Sequence, residues 1–326
     1  MNKMILKASV AAAILAVSGG AAQAEWPEEA VRLVISFSPG GGMDQSVLPL
    51  KPLLEEDLGQ TFLYDYRPGA SGRIGFEYVY MNGEDGYTVS ALSEPHFTNT
   101  TIFDEPRYTI EDLVPVGLFM RDVPVWFVRN DSPYQDMNDL IEAAREMPGE
   151  ITVATGSFTG EQYLTVAILE EQADVQFRAV NVQGGAPVMS NVLGGHMDVG
   201  VSRPASIAGI ADEVRALGVV SPERNNIFPD APTFDEQLPE EYDIPHFSSS
   251  RGFAVHRQFA EENPEGFARL EQALHDAVHS DAYGEALDRM GLDLEWVPSE
   301  AAQEEILATA RMMEQYRELV VAAQDR

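Results

Sequence analysis

The amino-acid sequence predicts an α/β protein whose two lobes face each other across a cleft. Three observations carry that expectation. Residues 31–37 are a short apolar run of β-branched and aromatic residues, closed by Ser38-Pro39 and followed by three glycines and a helix-like stretch. Residues 151–171 repeat the design, with an apolar run, a polar glycine loop and a second helix-like stretch. Strand-length and helix-length segments alternate through both blocks, the order that builds parallel strands joined by crossover helices.

In chain order, residues 31–37 read as a buried strand. Pro39 ends it, because proline has no N–H to give a sheet ladder. Gly40, Gly41 and Gly42 let backbone amides approach a ligand with no side chain between. Met43 and Asp44 lead into a helix expected over 45–58. Unpaired N–H groups and a partial positive charge at the helix start complete an anion site that needs no cationic side chain. An ordinary strand-to-helix turn with Asp44 as N-cap fits the same residues. Residues 61–66 are the next strand, 67–72 a turn, 74–80 a helix, 82–86 a turn and 87–92 a strand. Ser93, Glu94 and His96 follow at its carboxyl end, where open α/β sheets hold ligands. Residues 116–120 and 125–128 are two short strands, and 137–146 is an amphipathic helix stopped by Pro148-Gly149.

The second block has a strand at 151–154, the polar loop Thr155-Gly-Ser-Phe-Thr-Gly160 and a helix over 161–171. A strand at 177–182 leads through Gln183-Gly-Gly-Ala-Pro187 into a helix ended by Gly194-Gly195. A strand at 198–201 runs into Ser202-Arg203-Pro204, and 216–220 is the last strand of the block. Residues 222–250 read as a long connection and 252–255 as a strand returning to the first lobe. Phe267, Leu270, Leu274 and Val278 keep helical spacing, and 281–290 and 299–321 are further helices.

The start of the chain has the form of a secretory signal. Lys3 and Lys7 precede an apolar stretch over 8–17, too short to span a bilayer, and Ala22-Gln23-Ala24 fits a cleavage site. The expected destination is a bacterial periplasm, in soluble form. With no cysteine, no disulfide or lipid anchor is expected. The chain carries 21 basic and 53 acidic residues, a net charge of −32 at pH 7, and Lys51 is the sole lysine after the signal. Acid spread along the chain, not gathered in a tail, reads as adaptation to high salt. An acidic partner- or cation-binding surface is the competing use. Either way, repulsion argues against nucleic acid as a partner.

The motifs Phe37-Ser-Pro-Gly-Gly-Gly-Met-Asp44, Leu58-Gly-Gln60, Arg67-Pro-Gly-Ala-Ser-Gly72, Asp85-Gly-Tyr-Thr88, Thr155-Gly-Ser157, Gly185-Ala-Pro187 and Leu193-Gly-Gly-His-Met-Asp198 stand in a characteristic order. In that order and spacing the chain resembles the solute-binding receptors of tripartite tricarboxylate transporters, the Bug or TctC family. The resemblance implies a type II periplasmic binding fold, each lobe a mixed, mostly parallel sheet flanked by helices. It implies crossings between lobes near 121–126 and 250–253. A first lobe of 25–123 with 251–326 and a second of 124–250 would follow the signal at 1–24. It further implies a monomer without cofactor that captures a small organic carboxylate (a di- or tricarboxylate or an aromatic acid) by hinge closure. The cargo would pass to integral-membrane transporter subunits; a membrane sensor kinase is the alternative recipient. Backbone amides and ordered water at the two glycine loops would make much of the contact. Met43, Val182, Tyr163 and Arg73 depart from the family's common residues and bear on ligand identity, and Met43 would make the first loop more apolar.

The candidate ligand contacts are Phe37, Ser38, Pro39, Gly40, Gly41, Gly42, Met43 and Asp44 of the first loop; Ser93 and Glu94; Thr155, Gly156, Ser157, Phe158 and Thr159 of the second loop; and Arg203 with Pro204. Arg203 suits a bidentate pair with a carboxylate, or a salt bridge on an acidic protein. Arg251 and Arg73 are weaker candidates of the same kind. Ser157 and Thr159 suit hydroxyl donation or helix capping. Glu94 would repel a carboxylate unless it meets a hydroxyl, an amine or water. Phe37 and Phe158 suit core packing or stacking on an aromatic acid. His275 and His279 stand four apart on a helix, but with no third ligand in the sequence no metal is expected. No Gly-x-Ser-x-Gly elbow, phosphate loop or dinucleotide fingerprint is present. Ser157 has no evident base, so a binder is expected and a hydrolase is the remote alternative.

Overall fold

The computed structural model describes residues 26–324 apart from 41, 157–159, 183, 184, 247, 291 and 293. The expected signal lies outside the described residues. The chain opens with β1 (Val31–Ile35), α1 (Gly42–Val47), α2 (Leu50–Leu58), β2 (Phe62–Tyr66), α3 (Arg73–Asn82), β3 (Thr88–Ser93), α4 (His96–Phe103) and β4 (Leu113–Asp122). A second unit follows: β5 (Val125–Arg129), α5 (Met137–Glu146), β6 (Thr152–Thr155), α6 (Glu161–Ala173), β7 (Arg178–Asn181), α7 (Gly185–Leu193), β8 (Val199–Ser202), α8 (Pro204–Ile207), β9 (Val214–Val219) and α9 (Phe234–Gln237). The chain returns through β10 (Ser249–His256), α10 (Arg257–Glu262), α11 (Pro264–Val278), α12 (Asp281–Met290), β11 (Val297–Pro298), α13 (Ser299–Gln315) and α14 (Arg317–Gln324).

The strands form two sheets, ordered β11-β4-β10-β3-β1-β2 and β7-β6-β8-β5-β9. β1 runs parallel to β2 and β3, and β6 runs parallel to β7 and β8. Both sheets are mixed. Their antiparallel pairs belong to β4, β10 and β11 in the first and to β5 and β9 in the second. β4 and β5 flank the first crossing, at residues 123–124, and β10 receives the return at Ser249.

Each sheet is covered on both faces, as its near-continuous apolar strands require. In β1, Val31, Leu33 and Ile35 enter one core and Val34 the opposite one. In β5, Trp126 and Val128 enter one core of the second sheet, and Val125 and Phe127 the other. This is the two-residue alternation of a strand read on a doubly buried sheet. α13 serves both units. Ala302 and Ile306 pack on a first-sheet core, while Met313 packs on a second-sheet core. The C-terminal segment therefore braces both sheets and not the first alone.

Four elements differ from the sequence expectations. The helix at 45–58 is two helices, because Pro49 has no N–H to continue the ladder and becomes the cap of α2. α4 lies where the sequence reading assigned no element; its sequence HFTNTTIF is rich in threonine and has no apolar stripe to announce a helix. The connection at 222–250 contains α9, started by a capping box between Thr233 and Glu236. The last helix breaks at Tyr316 into α13 and α14.

Candidate functional site

Four charged residues from both units meet where the chain crosses between the sheets. Asp122 ends β4, Arg251 lies near the start of β10, Glu161 opens α6 and Arg203 is the N-cap of α8 after β8. Arg203 donates from Nε and Nη2 to Glu161 Oε1 at 3.1 and 2.8 Å. Glu161 is only 2% exposed. Burial disfavours the Arg203 charge, but Glu161 and Asp122 outweigh burial and raise its pKa.

Arg251 has a different environment. Its Nη1 donates to the Gly42 carbonyl at 3.0 Å and lies 3.1 Å from Met120 Sδ, both uncharged. It forms no ion pair among the described residues. Burial first, and then the charge of Arg203, lower its pKa. A Cβ on Gly42 would stand 3.0 Å from Arg251 Nη2, so glycine lets the guanidinium lie against the loop. Asp122 is pushed up to about 6 by burial, against the pull of Arg203 and Arg251. His96 is pushed down to about 4 by burial and by the same two arginines, so the ring is neutral at pH 7. Its Nδ1 lies 3.2 Å from Ser93 Oγ, and its ring stands edge-on to Phe37.

The first glycine loop presents Ser38, Pro39, Gly40 and Gly42 at the surface, with Phe37 half-buried; Gly41 lies outside the described residues. Two expectations need correction here. Asp44 is not an N-cap: it is the third residue of α1, and its carboxylate reaches back to accept from Gly40 N at 2.7 Å and from the Tyr66 hydroxyl. Met43 does not make the loop apolar; it is buried in the core beneath.

In the second unit, Gly156 N donates to Gln162 Oε1 at 3.3 Å, and Ser157, Phe158 and Thr159 lie outside the described residues. Thr155 Oγ1 and Ser202 Oγ end the neighbouring strands β6 and β8. Both are buried without a hydrogen-bond partner among the described residues. A buried hydroxyl left unpaired costs about 1–3 kcal/mol, which marks both as sites for a ligand oxygen or water. Pro204 is buried at the first position of α8.

Glu94 is buried, and Thr98 Oγ1 donates to its Oε2 at 2.7 Å; Oε1 has no partner among the described residues. Burial pushes this carboxyl up to about 8, opposed by Thr98 and helped by Glu305. It therefore keeps its proton at neutral pH, and the repulsion expected of it is largely absent. Arg73 donates from Nη1 to the Asp104 carbonyl at 2.9 Å and takes no part in the charged group at the crossing. A cavity of about 680 Å³ beside the crossing is lined by Arg121 and Val123 but by none of the four charged residues. Arg121 and Asp122 point to opposite faces because they are adjacent in one strand.

The sequence reading did not name Asp122 or Glu161 as site residues and ranked Arg251 below Arg203. An acidic residue opening a helix looks like a favourable first-turn charge, so Glu161 carried no separate signal. Asp122 stood at an expected crossing, which was the one available hint.

The fold and cleft define a two-lobed solute-binding protein. The model of the tripartite tricarboxylate transporter family receptors matches residues 50–318, and the chain belongs to that family, whose members are receptors and not enzymes. Protein BugT of Bordetella pertussis is 27% identical over 89% of this chain and 89% of its own length. A protein encoded in the tcbD-tcbE intergenic region of Pseudomonas sp. (strain P51) is 30% identical over 65% of this chain; the match spans 64% of that relative. Among solved structures, a TctC solute-binding protein from Polaromonas has a TM-score of 0.79 at 24% identity, covering 90% of this chain and 99% of that one. A Rhodopseudomonas palustris protein with adipate has a TM-score of 0.72 at 23% identity, covering 91% and 98%. Among the described residues no helix is long and apolar enough to cross a membrane.

Proposed function

We propose that this chain is a periplasmic receptor that captures a small organic dicarboxylate between its lobes and delivers it to the membrane subunits of a tripartite tricarboxylate-type transporter. Arg251 carries the proposal. It is a half-buried guanidinium whose hydrogen-bond partners are a carbonyl and a thioether, and Arg203 opposes its charge. A ligand carboxylate would relieve both conditions at once, through a charge-assisted bond. Arg203 is already engaged by Glu161 and in this reading serves as a fixed positive wall. Hydroxyls of Thr155 and Ser202, with the two glycine loops, supply the remaining donors from both units.

An anion touching Arg251 on the first sheet and hydroxyls on the second binds best when the two approach, and that difference drives closure. The closing units in this proposal are residues 25–123 with 251–326 and residues 124–250, and residues 1–24 are the export signal. The adipate of the R. palustris neighbour is a dicarboxylate of the size intended. A thermal-shift screen of tag-free protein against carboxylates, at low and molar salt, tests the proposal. A ligand at 100 times its Kd adds about 2.7 kcal/mol, a clear rise in Tm. A dicarboxylate is expected among the strongest hits; no shift by any carboxylate at either salt would overturn the proposal.

A further inference from the structure

We propose a second binding site, outside the cleft: His275 and His279 together bind one borderline divalent metal ion such as copper, nickel or zinc. The two residues sit at the C-terminal end of α11, four apart on one helix face. Their ring centroids are 4.2 Å apart at an interplanar angle of 34°. The rings are near enough for side-chain rotation to bring one nitrogen of each to a single ion, at metal–imidazole bonds of about 2.0–2.1 Å.

Spacing alone would not make a site; the hydrogen bonds behind the rings do. His275 Nδ1 lies 2.9 Å from Asp276 Oδ1, and His279 Nδ1 lies 2.8 Å from the His275 carbonyl. A carboxylate and a carbonyl only accept, so Nδ1 of each ring is the donor to them and Nε2 is the nitrogen left to a metal. A carboxylate or carbonyl on one ring nitrogen with the other left for the metal is the arrangement of metal-binding histidines. Trp296 stands edge-on to both rings, at 5.3 and 6.2 Å. Its own ring is pressed against Gly117 of β4, where an added Cβ would meet it at 2.4 Å, so it forms a fixed wall beside the pair.

Imidazole donors select copper, nickel and zinc over magnesium and calcium. The net charge of −32 raises the local concentration of any divalent cation. No group of three or more His, Cys, Asp or Glu suited to a metal occurs among the described residues, so two protein ligands leave open positions for water. The expected ion is therefore exchangeable, not structural. The expectation of no metal rested on the missing third protein ligand; with two imidazoles alone, water must fill the remaining positions.

Trp296 supplies the readout, because bound copper quenches a neighbouring indole. Tag-free full-length protein is titrated with Cu²⁺ in a non-chelating buffer at pH 7.5, and Zn²⁺ binding is followed by calorimetry. Saturable quenching with one equivalent is expected. The Kd should weaken at least tenfold in His275→Ala and in His279→Ala, with Tm and circular dichroism unchanged because both side chains are solvent-accessible. Asp276→Asn should weaken it about tenfold, the usual effect of losing an orienting partner. Equal affinity in wild type and both histidine variants, or no saturable binding in wild type, would overturn the site.

Discussion

Arg251 and Glu94 show how far a residue's surroundings can reverse what its type suggests. Arg251 ranked below Arg203 on sequence position, yet the fold gives Arg203 a buried carboxylate partner and Arg251 only neutral ones. Glu94 looked like a repulsive charge, yet burial lifts its pKa from about 4.5 to about 8. The unfolded chain releases this proton above pH 4.5 and the folded chain holds it until about 8, so stability falls as pH rises through that window. Glu94→Gln keeps an oxygen for Thr98 and removes the titration. Its Tm advantage over wild type should therefore grow from pH 5 to pH 8; an advantage that is constant with pH would show that Glu94 is ionised throughout. The glycine loops and the candidacy of Arg203 were legible in the sequence because their chemistry is local. The Arg251–Gly42 bond joins residues 209 apart, and no local pattern encodes such a pair.

At the scale of elements, α13 holds the two crossing strands through one side chain. Glu305 accepts from Arg121 on β4, from Ser250 on β10 and from Ser248 just before it. Arg121 also pairs with Glu295 at 3.2 Å. These groups are partly exposed, so screening limits the ion pairs. Glu305→Gln should cost about 1–2 kcal/mol, read as a lower urea midpoint at unchanged slope. An unchanged midpoint would mean that apolar packing of α13 alone sets the brace. Gly252 of β10 is the sharper test of strand placement. A Cβ there would lie 2.2 Å from the Gly117 carbonyl oxygen, a backbone atom that cannot swing aside. Gly252→Ala should lower stability by about 3 kcal/mol or more, measured as a drop in Tm; a wild-type Tm would contradict the observed approach of β10 to β4. Strand order around the two glycine loops was legible because apolar runs and punctuation are local signals. The split at Pro49, α4 and α9 were hidden by short length or weak amphipathy, where tertiary contacts outweigh propensity.

Across the whole molecule, the net charge of −32 acts against compactness wherever salt does not screen it. Tm should rise on going from about 0.1 M to 1 M sodium chloride, since the Debye length falls from about 10 to 3 Å over that range. A flat response would remove the salt-adaptation proposal and turn attention to the acidic surface as a binding face. Against that background Arg251 stands out, because its contacts are a carbonyl and a thioether while Arg203 is paired with Glu161. Carboxylate capture in this account depends on Arg251, and isothermal titration of the strongest dicarboxylate hit checks that dependence. Wild type, Arg251→Ala and Arg73→Ala are compared at one salt concentration. Loss of a charge-assisted bond in a half-buried site should weaken Arg251→Ala at least tenfold, a change of about 1.4 kcal/mol, while Arg73→Ala binds as wild type. Wild-type affinity in Arg251→Ala would place the carboxylate elsewhere and contradict the proposed site.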